Sequence, residues 1–188
     1  MAFAHKLRLS LGESKLRKKS KDVRRDKRAC NLREARTAGI LFDASDPSGF
    51  EPVKSLVSQL TDRGIQVQII GFVNDKKVPD AYLLRRSFNF ISRNELSWIY
   101  RPTPDFADEF IQTSFDILFN LDLKNSFPTR YITTLSRAKF KTGLYQEQNE
   151  FLDFMISLKP NPSLENLIFQ LLSYLGELKT QPPALVTA

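Results

Sequence analysis

Two short stretches carry the side chains best suited to chemistry. In DASDPSG, Asp43 and Asp46 follow an apolar run, and in FNLDLKNS the same is true of Asn120, Asp122, Asn125 and Ser126. These are hard oxygen donors, and Asp43, Asp46 and Asp122 could together hold Mg²⁺ or orient a sugar-like ligand. The competing reading is structural: Asp46 and Ser48 cap a helix, while Asp43 and Asp122 close strands in solvent. Nucleophilic catalysis finds no support, because the chain has one His, His5, and one Cys, Cys30, and neither stands beside a recognisable base or nucleophile. A single cysteine also forms no intramolecular disulfide and no CxxC zinc site. The residues identify no cofactor, since GxGxxG and GxxxxGK[ST] are both absent and the carboxylates of DASDPSG would repel a phosphate.

The elements that position these residues alternate in type. Gly39 to Ala44 reads as a buried strand, Phe50 to Leu60 as an amphipathic helix ending at Gly64, and Ile65 to Val73 as a second strand. Residues 74–87 read as a connection with one helical turn, in which Arg85 and Arg86 could extend a basic surface. Phe88 to Ile91 forms a third strand, and Ser92 with Glu95 has the spacing of a capping box opening a short helix through Trp98. A helix starts near Thr103, with Pro104 in its first turn. Phe115 to Leu121 is a fourth strand, Phe127 to Ala138 a helix, Lys139 to Leu144 a fifth strand and Leu152 to Leu158 a sixth. A last helix begins near Ser163, and residues 180–188 read as a disordered tail. Tyr131 and Leu135 fall on one helix face and should pack. Lys139 and Lys141 alternate on a strand, as lysines guarding a sheet edge would. Strands interleaved with helices predict an α/β fold, a three-layer Rossmann-like sandwich of about six mostly parallel strands over residues 39–179. In such a sheet ligands sit outside the carboxyl ends of the strands, which is where Asp43 and Asn120 fall.

The charge is concentrated at one end. Of the net +7, residues 1–38 carry thirteen Lys/Arg against four Asp/Glu, or +9, and the remaining 150 residues balance to −2. Those first 38 residues read as a basic helical arm with Leu9, Leu16, Val23 and Cys30 in a single apolar file. One narrow file buries little, so the arm should lean lightly on the domain or order on a partner. Its dense cations, Lys15, Arg17, Lys18, Lys19, Lys21, Arg24, Arg25, Lys27 and Arg28, fit a polyanion. RNA or DNA backbone is favoured over a membrane surface, because the arm lacks a broad Trp, Phe and Leu face. No window is apolar enough to span a membrane, and MAFAHKLRLSLG is broken by charge before a secretory signal can form, so a cytoplasmic protein is expected.

ILFDA, FDILFNLDL, NSFPTRYITTLSRAKFKTG and the closing helix together resemble an uncharacterised domain-of-unknown-function family common in Bacteroidota, over most of residues 37–178. That resemblance implies one compact domain and no particular substrate. FDILFNLDL followed by LSRAK and FKTG also looks like the N-terminal, acceptor-side Rossmann-like domain of heptosyltransferase-type glycosyltransferases. The chain is too short for their second, donor-binding domain, so this likeness implies a fold without the activity. The favoured expectation is a non-catalytic RNA- or ribosome-associated accessory protein using residues 1–38. The alternatives are a small-ligand-binding or enzymatic Rossmann-like domain, with metal or sugar-like ligand at the strand ends, and a scaffold for a protein partner.

Overall fold

The six apolar runs become six strands of one sheet. The computed structural model describes residues 2–83, 87–146, 151–158 and 162–179. Its strands are β1 (Thr37–Asp43), β2 (Gln66–Val73), β3 (Asn89–Ser92), β4 (Ile117–Asn120), β5 (Phe140–Leu144) and β6 (Phe154–Ile156), all parallel, in the order β3-β2-β1-β4-β5-β6. Helices α2 (Phe50–Thr61), α3 (Asp80–Leu83) and α6 (Leu164–Glu177) cover one face, packing on Ile40, Phe42, Ile117 and Phe119. Helices α1 (Ala2–Ser20), α4 (Asp105–Gln112) and α5 (Phe127–Leu135) cover the other, on Leu41, Ile70, Phe72 and Leu118. Burial on both faces is why the strands read as unbroken apolar runs. The result is a three-layer α/β, Rossmann-like fold, whose strand order reverses between β1 and β4.

Local chemistry sets the element ends, and some differ from expectation. The Asp46 side chain accepts from Ser48 N at 2.9 Å and starts a 3-10 turn (Pro47–Gly49) that leads into α2. The Ser92–Glu95 capping box forms, but the helix it opens is only a 3-10 turn (Arg93–Glu95) and does not reach Trp98. Leu96 instead bridges to Pro102, and Tyr100, at φ 64, turns the chain between them. Helix α5 stops at Leu135 rather than Ala138, because Ala138 N donates to Ser136 Oγ at 3.1 Å and Arg137 N to Ile111 O at 2.9 Å.

The largest correction concerns residues 1–38, which are built into the domain. Helix α1 ends at Ser20, and residues 21–36 form an irregular strap that crosses the sheet from one face to the other. Leu9, Leu16 and Val23 pack with α4 and α5, whereas Cys30, Leu32 and Ala35 join the core under α2 and α6. The 38/39 boundary falls inside β1. Helix α1 approaches α5 closely at Gly12: a methyl there would lie 2.6 Å from the Ile99 carbonyl and 2.9 Å from the Phe127 ring. The strap is tied on by Arg28 N to Lys139 O at 3.2 Å, Leu32 N to Leu175 O at 3.1 Å, and Arg25. Lys141 is not an edge lysine either. Strand β6 pairs outside β5, and α5 covers that face. Arg85, Arg86 and the expected tail over residues 180–188 lie outside the described residues.

Candidate functional site

The carboxyl edge gathers the oxygen donors that the sequence nominated, and there they bond chiefly to their own loops. Leu41 of β1 pairs with Asn120 of β4, so the reversal of strand order does put Asp43 and Asp122 at one end of the sheet. Asp43 Oδ1 accepts from Ser45 N at 2.9 Å, and its Oδ2 pairs with Lys124 Nζ at 2.6 Å. Burial raises the Asp43 pKa, but the hydrogen bonds from Lys124 and Ser45 outweigh it and hold the carboxyl below its usual range. Asp46 is lowered by the amide of Ser48, which it caps. Asp122 is buried and accepts from Lys124 N at 2.9 Å, Ser126 N at 2.8 Å, Ser126 Oγ at 2.6 Å and Thr129 Oγ1. Asn120 Oδ1 accepts from Asp122 N at 3.1 Å. Among the described residues no three of His, Cys, Asp and Glu stand close enough to hold a metal ion. Cys30 is buried, and burial pushes its thiol up to about 11, which leaves it protonated and inert.

The basic residues divide into two groups. Helix α1 turns Gly12 and Leu16 inward; Lys15 and Lys18 are exposed away from the domain, Arg17 and Lys19 are exposed where the helix borders α5, and Lys21, Arg24, Lys27 and Arg28 continue the exposed series along the strap. Lys19 reaches the Tyr131 hydroxyl at 3.4 Å, Lys27 Nζ lies 2.9 Å from Asp153, and Arg28 is 3.9 Å from Asp26. Among the described residues Lys15, Arg17, Lys18, Lys21 and Arg24 make no ion pair. Arg25 does not belong to this surface: its guanidinium forks onto Asp153 through two 2.7 Å bonds and also donates to Lys139 O at 3.0 Å. At the other end of α1 the turn at residues 97–101 supplies aromatics. Arg8 lies 4.5 Å from the Tyr100 ring centroid and 5.6 Å from that of Trp98, and Trp98 is 59% exposed. Trp98 is thus a surface ring.

A third arrangement escaped the sequence reading. Between α1, the strap, α5 and β5 lies an open cleft of about 730 Å³, lined among others by Glu13, Arg17, Arg25, Arg130, Thr134 and Lys141. Lys141 shares a rung with Leu118, is 2% exposed, and donates from Nζ to Thr134 O at 3.0 Å in the last turn of α5. Burial and then the Arg25 charge bring its ammonium down to about 7, Asp153 opposing and Lys27 assisting. Arg130 pairs with Glu13 of α1, and burial lowers its pKa as well. The cleft sits toward the amino end of β5, opposite the edge where the sheet rule looks for ligands. Its one sequence signal is a lysine between Phe140 and Thr142 in an otherwise uncharged strand.

The chain belongs to a family of unknown function (DUF6913), which it matches over residues 8–178, so the match takes in most of α1 and the whole strap. Curated proteins give no match. Among solved structures, E. coli heptosyltransferase WaaC with ADP is similar at a TM-score of 0.48 and 10% identity, over 77% of this chain and 48% of that one. The chain therefore spans about half the length of that enzyme.

Proposed function

We propose that this member of the family is a non-catalytic accessory protein that holds RNA, free or within the ribosome, against the outer side of α1 and the strap. The observation that carries the reading is the exposed series Lys15, Arg17, Lys18, Lys19, Lys21, Arg24, Lys27 and Arg28, mounted on a helix that is itself anchored to the domain. An anchored row of cations gives up little conformational entropy on binding and releases one counterion set per phosphate neutralised. Trp98 adds exposed aromatic surface near the α1 end of the row, and base stacking on such a ring is tolerant of sequence. Carboxylates at the carboxyl edge of the sheet are engaged by the loops that follow β1 and β4, which favours this surface over a metal or sugar site there.

Because Cys30, Leu32, Ala35 and Ala38 are core, removing the first 38 residues would unfold the domain, and surface substitutions make the cleaner test. Full-length protein is titrated with a labelled uridine 15-mer at two salt concentrations. Replacing Lys15, Lys18, Lys21 and Arg24 with Gln together should weaken binding by at least about tenfold and flatten the salt slope by roughly 0.7 log unit for each phosphate no longer neutralised. Trp98→Ala should weaken binding with no change of slope, since stacking releases no counterions. Wild-type affinity and slope in the quadruple variant would sink the reading.

A further inference from the structure

Lys141 occupies a position where the fold needs an apolar side chain. It stands on a core strand beside Leu118, under α5, and an ammonium there loses its hydration. A structural buried lysine is normally matched by a carboxylate. Among the described residues the two nearby carboxylates are engaged elsewhere: Asp153 by Arg25, Lys27 and the main-chain amide of Lys141, and Glu13 by Arg130. The Lys141 ammonium has three N–H donors, and among the described residues its acceptor is the Thr134 carbonyl alone. The Thr134 hydroxyl is itself buried with no hydrogen-bond partner among the described residues. Arg17, exposed and without an ion pair among the described residues, stands at the same cleft.

We infer that this cleft is a binding site for a small molecule carrying a phosphate-type oxyanion, whose oxygens are held by the Lys141 ammonium, the Thr134 hydroxyl and the Arg17 guanidinium. Donors in excess of acceptors call for a ligand rich in acceptor oxygens. A volume of about 730 Å³ leaves room for an organic body beyond one phosphate. Among the described residues cations outnumber anions here: Arg25 and Lys27 of the strap act on Lys141 against Asp153, and Arg17 of α1 and Arg130 of α5 line the same cleft with Glu13. An arriving oxyanion reverses the local field and draws a proton onto Lys141, so binding takes up protons near neutral pH and weakens as pH rises.

The test is calorimetric titration of the full chain with pyrophosphate at pH 6.5 and 8.5, for wild type, Lys141→Met and Arg17→Gln. Wild type should bind about tenfold more tightly at pH 6.5 than at 8.5, with proton uptake. Lys141→Met should weaken binding at pH 6.5 by at least about tenfold and leave only the pH dependence that the ionisation of pyrophosphate itself imposes. Arg17→Gln, whose side chain makes no bond among the described residues, should weaken binding at both pH values. The oxyanion could be a free small molecule or the end of a strand. A 5′-phosphorylated uridine 15-mer that binds better than its 5′-hydroxyl counterpart, in wild type but not in Lys141→Met, assigns it to a strand end; equal binding of the two assigns it to a small molecule. Absence of pyrophosphate binding, or equal binding by wild type and both variants, overturns the proposal, whether or not the outer surface binds RNA.

Discussion

Asp122 collects two amides and two hydroxyls on a single buried carboxylate, and no apolar residue could replace that. Asp122→Ala leaves the Ser126 and Thr129 hydroxyls and two loop amides without their acceptor, at a cost of roughly 2 to 4 kcal/mol in urea denaturation. Asp43→Ala removes a pair whose Lys124 partner is 69% exposed, and it should cost under about 1 kcal/mol. A reversed order of these two effects would refute the assignment of Asp122 as the organiser of its loop. The same two residues show why the candidate site was only half legible. Asp, Asn and Ser after a strand are what a polar ligand needs and also what a tight turn needs, because their short side chains bond neighbouring amides. Their position at the carboxyl ends of strands followed from the strand pattern, but the strand order that sets β1 beside β4 and the partner of each oxygen did not. Lys141 departs from expectation for a related reason: period-two alternation assigns a face but does not say whether the next strand pairs outside it.

At the scale of elements, α1 depends on a close approach that no hydrophobicity pattern encodes. Gly12 lets the helix backbone come against Ile99 and Phe127, and Leu16 is thereby buried. Gly12→Val should push α1 away from α5 and cost roughly 2 kcal/mol or more, since the obstructing atom is a backbone carbonyl that cannot rotate aside. Hydrogen exchange would show it as lost protection over residues 6–20, with β1 and β4 still protected. Uniform protection across both would mean that α1 is seated by other interactions. The sheet strands were legible because burial on both faces writes them as apolar runs between turn residues. The N-terminal segment was not, because its file of Leu9, Leu16, Val23 and Cys30 continues past the end of the helix. Only the first three touch the α4/α5 side, and the strap carries Cys30 to the other face. A seven-residue spacing cannot distinguish one long helix from a short helix followed by a strap.

For the whole molecule, buried charges of opposite tendency set the response to pH. Asp153, clasped by Arg25 and Lys27, and Asp116, bonded to Lys139 and the amides of Arg36 and Thr37, are raised by burial but held below the usual carboxyl range by these bonds. Their folded pKa values are depressed, so the stability they contribute is present above about pH 4 and lost as pH falls through those values. Lys141 acts over another window. Its folded pKa of about 7 lies below the 10.5 of a free lysine, so between those values the unfolded chain binds a proton that the folded chain does not. Stability must then rise with pH across that window, by on the order of 1 kcal/mol per unit. Lys141→Met has no such proton to lose. Urea denaturation of both proteins in phosphate-free buffer at pH 6, 7.5 and 9 isolates the effect, because every other titrating group is common to the two and cancels in the difference. Wild type should be the less stable at pH 6 and gain on the variant at each step upward. Below pH 4 both should lose stability together as Asp153 and Asp116 take up protons. A difference that stays flat from pH 6 to 9 would mean that the Lys141 ammonium is solvated as in an unfolded chain, contrary to its burial between α5 and the sheet.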